Sequence, residues 1–263
     1  MKTIITRNIL ILLLCVGANN AKGKNMFFKE HKKIWLSGLN FKNHTIPFWY
    51  TIAITAMLIQ NDENIYSEIK VFQKNNPRID RPSEMITLLG DGYVDFSVLG
   101  LFYLKGLLGD DQRAKNTADL GFRAIMHTGI IVQVLKHATG RQRPSAENGK
   151  DGWHGPSGAF KRYSPGRWAY YDAFPSGHTI AAWSLATVIA HQYSHIKIIP
   201  PLCYSLAIGA GISRVTEDTH WVSDVFLGTV IGFEVTKQIL VDKSPMSLTF
   251  KPYRNGIQMI YTF

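Results

Sequence analysis

Cysteine is scarce in this chain of 263 residues, which has only Cys15 and Cys203. A framework of disulfides is therefore excluded, and Cys203, in an apolar stretch, reads as a small buried hydrophobe. Charge is sparse as well, at 18% of residues, and unevenly signed, with 29 Lys and Arg against 19 Asp and Glu. No dense Lys/Arg run interleaved with aromatics occurs, so the net charge of +10 carries no nucleic-acid signature and points to small or lipid-borne anions. Uninterrupted apolar runs are short. A membrane span needs roughly 20 mostly apolar residues, whereas "IPFWYTIAITAMLIQ" stops at Asp62 and Glu63. Lys105, Arg123, His127 and Glu234 interrupt three further stretches. With a mean hydropathy of −0.03, these segments read as buried or amphipathic helices of a soluble protein. Internal repeats and low-complexity tracts are absent.

What is present begins with a leader. Residues 1–18 carry Lys2 and Arg7, then an apolar run from Ile9 to Val16, then small residues, the layout of a secretory signal peptide. Cys15 lacks the small residues before it that a lipoprotein signal requires. Cleavage after Ala18 would remove two positive charges and leave a net charge of +8, and the mature protein would be exported, to the periplasm in a bacterial cell. Residues 19–45 form a basic N-terminal arm. From 46 to 243 apolar spans of helical length alternate with Gly, Pro and Asn/Asp clusters, an all-α pattern. Residues 244–263 alternate apolar and polar side chains around Asn255-Gly256, a C-terminal β-hairpin. The stretch 140–175 is long for a loop, and its aromatic residues mark it as a structured cover.

Three islands concentrate reactive side chains: "KHATGRQRP" at 136–144, "FPSGHT" at 174–179 and "SRVTEDTHWVSD" at 213–224. Each has an innocent reading alone: charges at a helix end, an ordinary helix start, a polar patch. Together they supply the parts of an oxyanion site. Ser176 as N-cap and Gly177 expose free backbone N–H groups at the positive end of a helix dipole. Lys136, Arg143 and Arg214 are three cations, the arginines able to bind a phosphate bidentately. His220 and Asp224, four apart, would share a helix face, the carboxylate holding one ring nitrogen protonated and leaving the other free. His178 adds a second imidazole.

These spacings resemble the type 2 phosphatidic acid phosphatase superfamily, which contains soluble bacterial acid phosphatases and vanadium haloperoxidases. Its pattern is Lys, six residues, Arg-Pro; then Pro-Ser-Gly-His; then Ser-Arg, five residues, His, three residues, Asp. Lys136 to Arg143-Pro144, Pro175 to His178, and Ser213-Arg214 to His220 and Asp224 meet it at every position. The resemblance implies an all-helical fold and phosphate monoester hydrolysis through a phosphohistidine, with hydrolysis of lipid phosphates or pyrophosphates as a second possibility. By motif position His220 would be the nucleophile, Asp224 its orienting partner and His178 the proton donor to the leaving alcohol. Lys136, Arg143, Arg214, Ser176 and Gly177 would bind phosphate. No metal or cofactor is implied by this chemistry, which rests on positioning and charge stabilisation.

The alternative implied by the same motifs is a vanadium-dependent haloperoxidase, with His220 ligating vanadate; those chains are considerably longer. Lys161, Arg162 and Arg167 in the cover, with the basic arm, would suit peripheral contact with an anionic membrane surface. Arg141 reads as a solvent-exposed neighbour of Arg143. Pro156-Ser157-Gly158, followed by Ala159, reads as a loop turn, and Glu217 and Asp218 as caps of a helix starting near His220.

Overall fold

The structure is a computed structural model that describes residues 47–76, 83, 85–146, 149–161, 170–241, 247–253 and 256–262. The expected leader, the basic arm, residues 162–169 and the hairpin-turn residue Asn255 lie outside the described residues. The helical unit runs α1 (Phe48–Asn75), a 3-10 turn (Thr87–Gly90), α2 (Gly92–Leu108), α3 (Gln112–Thr139), a short α4 (Gly155–Lys161), α5 (Gly177–Gln192), α6 (Ile199–Thr216) and α7 (Val222–Val241). A separate unit holds β1 (Ser247–Tyr253) and β2 (Gly256–Thr262), paired antiparallel from Ser247–Thr262 to Tyr253–Gly256.

Helix boundaries follow from local chemistry. The Asp91 carboxylate caps α2 by accepting from Tyr93 N–H, and Asp111 caps α3 by accepting from Ala114 N–H. Gly140 ends α3 in the left-handed region, φ 52°, a conformation that costs glycine nothing. Pro156-Ser157-Gly158 lies in the first turn of α4 and not in a plain loop turn.

The hub is α5, which packs against α3, α6 and α7. It is apolar nearly all round, so it suits a helix enclosed by others. Its contacts are close because small residues meet there: Ala182 and Ala186 pack on Ala207 and Ala210 of α6. On the α7 side, Gly228 and Gly232 stand one turn apart. A Cβ on Gly232 would lie 2.6 Å from the Ile180 carbonyl oxygen, and one on Gly228 2.9 Å from that of Ser176. Replacing Gly232 by Ala therefore sets a helix-propensity gain of about 1 kcal/mol against an overpacking cost of about 1–3 kcal/mol. Backbone cannot swing aside as a side chain can, so the cost wins. Gly232→Ala should lower the thermal midpoint, and an unchanged or raised midpoint would show that α5 and α7 can separate freely.

The apolar helices are turned the opposite way from the expectation. Of the groups that interrupt the apolar stretches, Asp62, Arg123, His127 and Glu234 are each at most 3% exposed, as is Asp95 of α2, whereas Glu63 and Lys105 face outward. Leu101, Leu104 and Leu108 of α2, and Leu206, Ile208 and Ile212 of α6, face outward, Leu108 at 84% exposure. Asp62 does not end its helix: α1 continues for thirteen residues beyond it, because its carboxylate is paired inside the molecule with Arg141, 2.7 Å away. Asp62, Arg123, His127 and Glu234 thus lie on the inward sides of their helices, which a count of charges along the chain does not distinguish from interruptions.

Candidate active site

Four segments build the site. The last turn of α3 supplies Lys136, and Gly140 then releases the chain into an extended stretch, 141–143. Gln142 N–H donates to Gly152 O at 2.8 Å and Arg143 N–H to Tyr170 O at 2.9 Å, while Ala173 N–H donates to Arg141 O at 3.0 Å. The cover loop thus flanks this stretch with residues 152–153 and with residues 170–173, and brings Asp172 beside the cations.

Ser176 caps α5, its hydroxyl oxygen accepting from Thr179 N–H at 3.4 Å and from the Thr179 hydroxyl at 2.9 Å. Ser176 N–H donates to Asp224 O at 3.1 Å, which fastens the start of α5 to the first turn of α7. A Cβ on Gly177 would stand 3.9 Å from Lys136 Nζ, so the helix N-terminus and the lysine address one space.

Arg214 ends α6. Its carbonyl accepts from Thr219 N–H and His220 N–H, both at 3.1 Å, and the turn 217–221 wraps over it. His220 therefore sits in a turn, not on a helix, and the expectation that it shares a helix face with Asp224 is corrected. Glu217 and Asp218 do not cap α7; Glu217 closes α6, and Asp218 adopts φ 58°.

The orienting contacts also differ from the expected arrangement. His220 Nδ1 lies 2.7 Å from the Ala173 carbonyl and 3.5 Å from Asp224 Oδ2. A carbonyl only accepts, so Nδ1 carries the proton and Nε2 keeps the lone pair. The Asp224 carboxylate is mainly engaged elsewhere, by Trp221 N–H at 2.8 Å and by Arg141 at 2.6 Å. Arg141, read from the sequence as exposed, is wholly buried.

Asp172 was not anticipated. Its carboxylate accepts from Arg143 Nε at 2.8 Å and lies 3.4 Å from Lys136 Nζ, holding two cations in register. Glu217 does the same for the third, accepting from Arg214 at 2.8 Å, with the Thr87 hydroxyl bonded to both. The available signal was an acid three residues before Pro175 and another three residues after Arg214; a lone carboxylate in a loop does not announce its partner.

Electrostatics show that the groups converge. Burial pushes the His220 imidazole well below its usual pKa, and Arg143, Lys136 and Arg214 push it further, with Asp172 opposing. The His178 imidazole, in the cap turn of α5, is lowered to about 4 by burial and then by Arg214, Lys136 and Arg143, with Asp91 opposing. Both rings lie in the field of the same three cations. Lys136, Arg143, Arg214, His178 and His220 are thus brought together, with Ser176 tied to Asp224 beside them, whereas Asp218 pairs with Lys70. Among the described residues no group of three His, Cys, Asp or Glu side chains could hold a metal ion.

Comparisons with known proteins place this geometry. The profile of the PAP2 superfamily matches residues 120–242, a stretch that contains all three islands. A lipid A 1-phosphatase of Porphyromonas gingivalis is 37% identical over 199 residues, covering 74% of this chain; the match spans 37% of that relative's length. The crystal structure of Aquifex aeolicus LpxE has a TM-score of 0.50 at 24% identity, over 66% of this chain and 94% of the other. A transmembrane PAP2-type phosphatidylglycerolphosphate phosphatase from Bacillus subtilis gives 0.52 at 19% identity, over 74% and 92%. These likenesses show a common all-α fold, and residues 120–242, which hold the three islands, match the PAP2 superfamily.

Proposed function

We propose that the protein hydrolyses a phosphate monoester on a lipid headgroup through a phosphohistidine. The observation that carries this reading is the convergence of Lys136, Arg143 and Arg214 on two imidazoles at the N-terminus of α5. The three cations and the backbone N–H groups after Ser176 hold the equatorial oxygens. His220 Nε2 attacks phosphorus as the ester P–O bond breaks. His178 gives its proton to the departing alkoxide, then takes one from the water that releases phosphate from His220. With Nδ1 bonded to Ala173 O and the ring neutral, Nε2 is a nucleophile without prior deprotonation.

The lipid half of the proposal is supported by the outer faces of α2 and α6. Side chains such as Leu101, Leu104, Leu108, Ile208 and Ile212 are exposed, while polar groups of the same bundle are turned inward, the arrangement a bilayer favours. The names of its relatives, lipid A 1-phosphatase and lipid phosphate phosphatase, point the same way. Residues 1–18 would export the chain, and these faces would hold it in the membrane with the site open to the periplasm.

Phosphate release should be measured from lipid phosphates in mixed micelles and from p-nitrophenyl phosphate. We expect kcat/KM at least about tenfold higher for the lipid, since burying even two or three acyl methylenes is worth more than 1.4 kcal/mol. Competitive inhibition by vanadate, a mimic of five-coordinate phosphorus, should accompany it. Equal kcat/KM for both substrates would remove the lipid assignment, and bromide oxidation by the vanadate-loaded protein would replace hydrolysis with haloperoxidation.

A further inference from the structure

We propose that Arg141 is a positioning residue for the nucleophile, and that Asp151 and Asp62 set how strongly it acts; this rests on the phosphohistidine reading above. Arg141 is 0% exposed, yet all five of its N–H groups are used. Nε donates to Asp151 Oδ1 at 2.9 Å, and one terminal nitrogen to Asp151 Oδ2 at 2.8 Å and Asp62 Oδ2 at 2.7 Å. The other donates to Ser223 Oγ at 2.7 Å and Asp224 Oδ1 at 2.6 Å. Trp153 and Trp221 lie over the guanidinium, 4.6 and 5.4 Å from their ring centroids. Such density of bonds to a planar fork is a geometry that lysine cannot reproduce.

Two routes lead from this residue to His220. Through the backbone, Arg141 O accepts from Ala173 N–H at 3.0 Å, and Ala173 O accepts from His220 Nδ1 at 2.7 Å. Through the side chain, Arg141 holds Asp224, whose other oxygen accepts from Trp221 N–H and lies 3.5 Å from His220 Nδ1. One residue thus fixes both acceptors facing the imidazole. It does so from outside the phosphate cradle, since its side chain meets carboxylates, a hydroxyl and aromatic rings. The anchors come from two parts of the fold that meet here: Asp62 in the middle of α1, and Asp151 in the cover, whose own N–H donates to Glu63 of α1 at 2.8 Å.

The charge balance yields a test. Arg141 favours the ionised form of Asp224, while Asp151 disfavours it. The other charged groups around the His220–Asp224 pair are Asp62, Asp172, Lys136, Arg143 and Arg214, and the variants leave these in place. Turnover requires the pair to have lost its proton, so the acid limb of kcat/KM reports it. Removing a cation moves that limb to higher pH, and removing an anion moves it to lower pH.

Arg141→Gln, Arg141→Lys and Asp151→Asn should be compared in detergent for pH profile, vanadate inhibition and thermal midpoint. Arg141→Gln should lower kcat about 100-fold, as expected when a reacting group is displaced by about 1 Å. Its acid limb should rise, with vanadate still inhibiting as in the parent. Asp151→Asn should shift the limb downward, and Arg141→Lys should restore its position without restoring full kcat. Limbs that stay put, or move in the same direction in Arg141→Gln and Asp151→Asn, would reduce Arg141 to a structural brace and overturn the proposal. Loss of vanadate inhibition in Arg141→Gln would do so too. Trapping of radiolabelled phosphate on wild-type protein reads the phosphohistidine separately, and the opposed limb shifts can be scored whether or not label is found.

Discussion

Replacing His220 by Ala should abolish turnover of every phosphate monoester the protein accepts. His220 is 1% exposed, its Nδ1 is committed to Ala173 O, and its Nε2 is the one nucleophile the proposed mechanism has. Removing a nucleophile of this kind costs on the order of 10⁶ in kcat where it has been dissected. Vanadate should still bind, more weakly, because Lys136, Arg143 and Arg214 remain. The measurement is phosphate release with a trap for phosphoenzyme. Residual turnover within about tenfold of wild type would mean that water attacks directly, and that His220 serves only as one more group around the anion.

Replacing His178 by Asn should produce the second largest effect, and one that depends on the leaving group. A positioned acid contributes about 10²–10⁴-fold. Esters whose alcohol leaves as a poor alkoxide should lose that much, while p-nitrophenyl phosphate should lose far less. Equal losses would place His178 among the binding groups. The ring's lowered pKa, about 4, sharpens the expected pH dependence. In the free site His178 is neutral at pH 7, so the transferable proton arrives with the substrate as its monoanion, or on the ring once the dianion is bound. These two descriptions contain the same atoms and charge. Phosphate monoesters lose their last proton near pH 6, so kcat/KM for an alkyl ester should fall above about pH 6. A plateau extending to pH 9 would exclude this proton inventory.

The sequence made the chemistry more legible than the architecture. Lys136, Arg143, Ser176, Gly177, His178, Arg214, His220 and Asp224 are separated by up to 88 positions, yet fixed spacing identified them because each local motif is rigid: a helix end, a capped helix start, a turn. Partnerships across the fold left no such trace. Asp172 and Arg141 pair with residues distant in sequence, Glu217 joins nearby Arg214 to distant Thr87, and an arginine two places from Arg143 looks the same whether buried or solvated. His220 and Asp224 do not share a helix face, for a related reason. A spacing of four suggests a helix, but Arg214's carbonyl captures Thr219 and His220 N–H groups and bends the chain into a turn. The direction in which the apolar helices face was also hidden, since inward charges and outward charges are identical in a one-dimensional count.

The turn that carries His220 is braced from an unexpected quarter. Lys70 reaches Asp218 at 2.5 Å and Gln73 donates to the Thr216 carbonyl at 2.7 Å, both from the final turns of α1, while Asp62 earlier on the same helix grips Ser223 N–H at 3.1 Å. The first helix is thus a splint laid along both sides of the reactive imidazole. A tilt of α1 would therefore shift residues 216–218 and Ser223, which flank His220 in the chain on either side.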